Sequence, residues 1–305
     1  MIYLILNIFL SSFFVLWVKW VQSRRREDII SVGVVNYLVA GVMSAIPFFF
    51  SGHVVTANSI AIGGAMGSSY FMAYFFLIYA VTWKGAANTA VITRLSILLP
   101  IVVGIVLWGE RPAPWQFVGV VLACVSLVLI GRHDIDQHGK KLPWYARLSL
   151  GTFFLIAGMS RLSQEAFRYL CDPAEKSTYL FSAFMFASAA SLVVLVYRRR
   201  RVTLPELGCG FVLGMSNVLQ SYFILKCLEH FDGFIVFPVT SAGGLVVTTV
   251  IATVLLGERL NRRSYMGIGV AVCALALLHF KVGSPDAKAS LREPCPVILL
   301  AVERE

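Results

Sequence analysis

The sequence predicts an all-α polytopic membrane protein, with ten transmembrane helices arranged as two inverted five-helix repeats. Three observations carry this expectation. Of 305 residues 58% are hydrophobic and only 14% charged, with a mean hydropathy of +0.79, more apolar surface than a soluble core of this size can hide from water. Ten stretches with few or no charges approach the roughly 20 residues that a helix needs to cross a bilayer. The segment VLWGERP, Val106 to Pro112, returns as VLLGERL, Val254 to Leu260, at an offset of 148 residues. Without any gap the same offset pairs Tyr74 with Tyr222, Gly85 with Gly233, Val102 with Val250 and Ala123 with Ala271, so the likeness extends well beyond one motif. Backbone amides cannot go unpaired in hydrocarbon, and these stretches lack the alternation of barrel strands, which selects helices.

Taken in order, the first span is 2–18. It has no basic residue ahead of its apolar run and no convincing small-residue cleavage site, so it reads as a helix that stays and not as a signal peptide. The second, 31–51, follows Arg24, Arg25 and Arg26. The third, 59–82, carries Gly63 and Gly67 at a spacing that permits close helix approach, together with Ser68, Ser69, Tyr70 and Tyr74. The fourth, 86–109, contains Arg94 and ends in Gly-Glu-Arg; the fifth, 115–131, closes the first copy. The second copy supplies 148–165, 177–197, 207–225, 233–257 and 264–280, with Gly210 and Gly214 repeating the small-residue spacing. The expected division is a first repeat over 1–131, a cytoplasmic linker over 132–147, a second repeat over 148–281 and a polar tail over 282–305 without structure of its own.

An odd number of spans per copy forces the second copy to enter the membrane in the opposite sense, so equivalent loops face opposite sides. The charges agree. Arg24 to Arg26 correspond to Asp172, Pro173 and Ala174, while the neutral loop near Ser51 to Asn58 corresponds to 199–206, with Arg199, Arg200 and Arg201. Of the 26 basic residues, 16 fall on one side and only Arg111, Arg168 and Lys176 on the other. The positive-inside rule then makes both termini external. The net charge of +10 follows these loops and forms no groove-sized basic surface with stacking aromatics, so nucleic acid is not the partner; lipid and a small solute are.

Few polar residues lie inside spans, and those few are the candidates for function. Arg94 sits about 12 Å past the start of its span at Ala86, where an unpartnered guanidinium is costly, and its fork could grip a carboxylate or phosphate of a solute. The alternatives are snorkelling to headgroups or capping of carbonyls. Ser216, Asn217 and Gln220 fall near mid-depth of the eighth span, as solute contacts or as interhelical glue. Ser69, Tyr70 and Tyr74 in the third span, with Thr240 and Ser241 in the ninth, complete the candidate substrate-binding set. Arg161, Glu165 and Arg168 share one face of the sixth span toward its outer end, a candidate gate or coupling set, and Lys226 with Glu229 repeats the pattern more weakly. Glu110 and Glu258, with Arg111 and Arg259, read as structural helix-end groups, because a carboxylate is favoured at the start of the next helix.

Catalytic or metal chemistry has no support. There is no HExxH, and His53, His133, His138, His230 and His279 are scattered at span edges. The six cysteines form no CxxC pair. No cofactor, metal or enzymatic activity is expected.

The ten-span spacing, the duplicated unit and the Gly-Glu-Arg ending of the fourth span in each copy resemble the drug/metabolite transporter superfamily, specifically its EamA-like branch. The closest stretches are LSILLPIVVGIVLWGERPAPWQFVGVVLACVSLVLIG, residues 95–131, and FPVTSAGGLVVTTVIATVLLGERLNRRSYMGIGVAVCALALL, residues 237–278. The resemblance implies two five-helix repeats around a central cavity that opens alternately to each side and moves small organic solutes. The expected function is secondary transport of a small organic metabolite, anionic or zwitterionic, across a bacterial inner membrane. The alternative is a membrane-embedded binding or scaffold protein that transports nothing.

Overall fold

The computed structural model describes residues 2–23, 28–50, 54–131, 144–256 and 262–279. Among them there is no strand; the chain forms helices α1 (Ile2–Ser23), α2 (Ile29–Phe50), α3 (Ala57–Leu95), α4 (Leu98–Val106), α5 (Pro114–Gly131), α6 (Trp144–Leu170), α7 (Lys176–Arg198), α8 (Leu204–Leu228), α9 (Gly233–Leu256) and α10 (Arg262–His279). A 3-10 turn, Pro173–Glu175, precedes α7. Ile29–Phe50, Pro173–Arg198, Leu204–Leu228 and Gly233–Ile251 are each long and apolar enough to cross a membrane, and Ile2–Val18, Ile92–Val106, Pro114–Leu129 and Tyr265–Leu278 are shorter apolar helices. Most of the linker and the whole tail expected at 282–305 lie outside the described residues, as do Glu258 and Arg259. The sixth helix begins at Trp144, four residues ahead of its expected start.

The third and fourth spans depart from expectation. Helical backbone runs through the expected connection near residues 83–85, and the break comes instead at Ser96–Ile97. Pro100 explains the break: it has no N–H to give the Ser96 carbonyl, and its ring crowds that carbonyl. The Leu99 amide bonds Ser96 instead, in a tighter turn, at 3.2 Å. Yet α3 is not one straight rod. On α6, Ser163 donates to the Ile62 carbonyl at 2.8 Å and Gln164 to Tyr70 Oη at 3.1 Å, while Gly158 packs on Leu99 and the Ser96 carbonyl. Residues 70 and 96 would stand about 39 Å apart on a straight helix, against about 9 Å between their partners on α6, so α3 turns back within its length.

Packing is dominated by α5 on α10, α3 on α6 and α7, α2 on α7 and α8, and α1 on α8 and α9. Glycine sets two of these seams. A Cβ at Gly63 would stand 2.5 Å from the Tyr179 carbonyl, and Gly67 abuts the Ala183 carbonyl, which brings α3 backbone to backbone with α7. Gly210 and Gly214 do the same for α8 against α2, at the Val32 and Asn36 carbonyls. Tyr179, Phe184, Ala183 and Ala187 are fully buried between these seams.

Candidate functional site

The interior is crossed by hydrogen-bonding side chains, and Arg94 is at their centre. Two residues before the α3–α4 break, Arg94 reaches α9, where Nη1 donates to the Ser241 carbonyl at 2.7 Å. Ser11 of α1 and Arg94 both close on Gly244, which leaves room for them by lacking a side chain. The Ser241 hydroxyl is buried and has no hydrogen-bond partner. Arg161 of α6 lies within electrostatic range of Arg94 and of the Tyr70 hydroxyl. Tyr70 Oη accepts from Gln164 Nε2 at 3.1 Å and faces Ser221 Oγ at 3.5 Å. Thus Arg94 and Tyr70 of α3, Arg161 of α6 and Ser241 of α9 converge.

Other candidates take positions between helices. Tyr74 donates to the Ile29 carbonyl, its ring lies against Gly33 and edge-on to Tyr37, and so it pins α3 to the start of α2. Ser69 bonds the Ala65 carbonyl of its own helix at 2.7 Å, and Thr240 bonds Val236 at 2.8 Å. Ser216 reaches the Leu10 carbonyl at 3.4 Å, Asn217 approaches Asn36 Oδ1 at 3.5 Å, and Gln220 offers its backbone carbonyl to Asn7 Nδ2 at 2.8 Å. These contacts join α8 to α1 and α2. The sequence reading passed over Asn7, Asn36 and Gln164, each a buried amide in an apolar run and legible by the same rule that picked out Asn217.

At one end of the bundle a knot of charges forms around Arg168. Nη1 meets Glu110 Oε1 at 3.1 Å and Glu165 Oε1 at 3.2 Å, and Nη2 meets Asp232 at 2.5 Å. Tyr169 Oη adds a bond to Glu110 at 2.9 Å, and its ring stacks on Trp108 with centroids 4.8 Å apart. Glu110 therefore differs from the helix-end role expected of it. Gly109 has φ +67, in the left-handed region that glycine tolerates, and the turn folds Glu110 back over Gly104 into the bundle. The carboxylate takes the Gly233 amide, at the N-terminus of α9, at 3.3 Å, with Arg168 and not Arg111 as its cation. Arg111 is exposed. Arg161 departs from the expected set: Glu165 and Arg168 join the knot, and Arg161 faces the interior.

At the opposite end Asp28 meets Arg198 at 2.6 Å and Arg200 at 3.0 Å, and Arg200 meets the buried Glu206 at 2.9 Å. Burial raises the Asp28 pKa, but the Ser31 hydroxyl and the Arg198 guanidinium lower it more, so the group is held below its ordinary 3.8. Glu229 just past α8 is likewise held below the usual carboxylate range: burial raises it, and the bonds from Lys176 and Lys226 outweigh that.

A bundle of apolar helices, four of them long and apolar enough to cross a membrane, with charge knots at both ends and a polar interior, is the architecture of a helical membrane protein. Residues 1–132 match the model of the EamA-like transporter family, in agreement with the drug/metabolite transporter resemblance carried by the Gly-Glu-Arg spans. An uncharacterized protein of Haemophilus influenzae is 23% identical over 269 residues, which cover 85% of this chain and 91% of the relative. A protein of known crystal structure superposes with a TM-score of 0.74 over 91% of this chain and 95% of its own, at 14% identity, a likeness of fold.

Proposed function

We propose that the chain is a secondary transporter that moves a small organic metabolite, anionic or zwitterionic, across a bacterial inner membrane by alternating access. The observation that carries the reading is Arg94, a guanidinium deep among apolar helices that is held by a backbone carbonyl and not by a carboxylate. No further acceptor among the described residues takes its remaining donors, which leaves them to a solute. With it the solute meets Ser241, Tyr70 and, along α8, Ser216, Asn217 and Gln220.

Alternation needs two related halves, and the packing supports that. The pairings of α1 with α8 and α9 have counterparts in those of α6 with α3 and α4; α2 on α8 has its counterpart in α7 on α3; and α2 meets α7, and α5 meets α10. A two-fold relation between 1–131 and 148–281 generates such a set. The family match ends at residue 132, next to the expected end of the first repeat. In this reading Arg168, which joins the α4–α5 turn at Glu110 to the α8–α9 corner at Asp232, latches the outer end, and the Asp28 knot latches the cytoplasmic end. Release of one latch exposes the site to one side.

The test is uptake by proteoliposomes holding the purified protein, run over a panel of metabolites. Arg94→Ala is expected to lose uptake of the cognate solute at least about tenfold while keeping its thermal unfolding midpoint. A variant that transports every solute like its parent refutes the site, and a parent that transports none refutes the function.

A further inference from the structure

We propose that Arg161 and Arg94 together form a two-guanidinium site that selects a small organic dianion, with its charge on two carboxylates or on one phosphate monoester. The inference deepens the transport reading by naming the solute class, and it rests on that reading for the location of the solute path. Three observations support it. The first is the convergence of the two arginines. Gly158 lets α6 approach the α3–α4 break closely, at Leu99 and the Ser96 carbonyl; Arg161 follows Gly158 by about one turn of α6, and Arg94 precedes the break by two residues. The Arg161 charge lies within electrostatic range of Arg94 and of Tyr70.

The second is that no carboxylate among the described residues neutralises them. Among the described residues no ion pair engages either arginine, and no hydrogen bond engages Arg161. Glu165, one turn beyond Arg161 and well spaced to pair with it, turns instead to Arg168 at 3.2 Å and to Gly233. Nor can Arg161 reach the headgroups: it lies nine residues, about 13 Å, before the end of α6 at Leu170. Two like charges held together in an apolar bundle are costly unless an anion joins them, and a dianion balances both.

The third is the Ser241 hydroxyl, 3% exposed as a residue and without a hydrogen-bond partner, beside the carbonyl that Arg94 grips. It supplies a donor to an oxyanion held in the guanidinium fork. Tyr70 Oη, fixed by Gln164, supplies another on the Arg161 side. A monoanion would leave one guanidinium unmatched, and a zwitterion would bring its ammonium against two positive charges.

The experiment measures binding to the full chain in detergent by calorimetry at pH 7.5, with succinate, glycerol 3-phosphate, acetate and glutamine as probes. At least one dianion is expected to bind roughly 10- to 100-fold tighter than acetate or glutamine, and comparison of the two dianions tells carboxylate from phosphate. Arg161→Gln is expected to abolish that preference, bringing dianion binding down to the level of acetate. Arg161→Lys, which keeps the charge, retains part of the preference and guards against a folding defect. Acetate or glutamine binding as tightly as the dianions, no dianion binding at millimolar concentration, or a preference that survives Arg161→Gln would each overturn the proposal. Proteoliposome uptake separates the two readings. Dianion binding without uptake removes the transport function and keeps the site; uptake of a zwitterion unaffected by Arg161→Gln removes the dianion and keeps transport.

Discussion

Arg168 illustrates how one side chain can hold two distant segments together. It is the only cation bonded to the buried pair Glu110 and Glu165 among the described residues, whose side chains are 3% and 1% exposed. Removing the cation leaves carboxylates buried without a partner, a loss of about 3–5 kcal/mol by comparison with other buried pairs. Arg168→Gln should therefore lower the unfolding midpoint in detergent markedly, and Arg168→Lys less so. Asp28 makes a pH prediction. Its folded pKa is depressed, so its stabilisation is present above the unfolded value of 3.8 and fades as pH falls through the folded one. The difference in melting temperature between parent and Asp28→Asn should be positive near neutrality and shrink as pH falls below 3.8. Arg94 is legible in the sequence because a charge in an apolar run always needs a reason. The partner of Glu110 is not: helix-end logic points to the adjacent Arg111, whereas the left-handed turn at Gly109 carries the carboxylate inward to a residue on another helix.

At the scale of helices, apolar length located nearly every element, but not the interruption between α3 and α4. Charge and glycine at Lys84–Gly85 suggest the loop, while the backbone breaks twelve residues later where Pro100 withholds an amide. Capping shows finer control. Thr203 and Glu206 form a capping box at α8, and Glu206 also accepts the Asp28 amide at 2.9 Å, so the start of α8 is tied to that of α2. Thr56 caps α3 at Ser59 and bonds Glu175 ahead of α7 at 2.5 Å. Both caps bind a neighbouring helix as well as their own. The glycine seams give the prediction at this scale. Gly214→Leu would drive a side chain into the Asn36 carbonyl and Val39, and should cost about 1–3 kcal/mol, read as a lower melting temperature; Gly208→Ala, which meets nothing, should be nearly neutral.

For the molecule as a whole, orientation is the expectation that charges alone support. A cysteine placed in the tail after Lys281, in a version otherwise free of cysteine, is expected to react with an impermeant thiol reagent added to intact cells. Protection of that cysteine would reverse the topology and with it the assignment of the latches to sides. The pairing of helices, in contrast, could not be read from hydropathy, because lipid and protein neighbours look alike to an apolar residue. Only the glycine spacings hinted at which faces meet.

In the proposed two-half arrangement both glycine seams run between the halves: α3 meets α7, and α8 meets α2. Backbone slides past backbone there with few knobs to lift out of holes, so a rocking motion would proceed as shear along two smooth rails. In that reading the resistance to such motion would reside at the bundle's two charged ends, and the speed of switching would be a property of salt and pH more than of side-chain repacking.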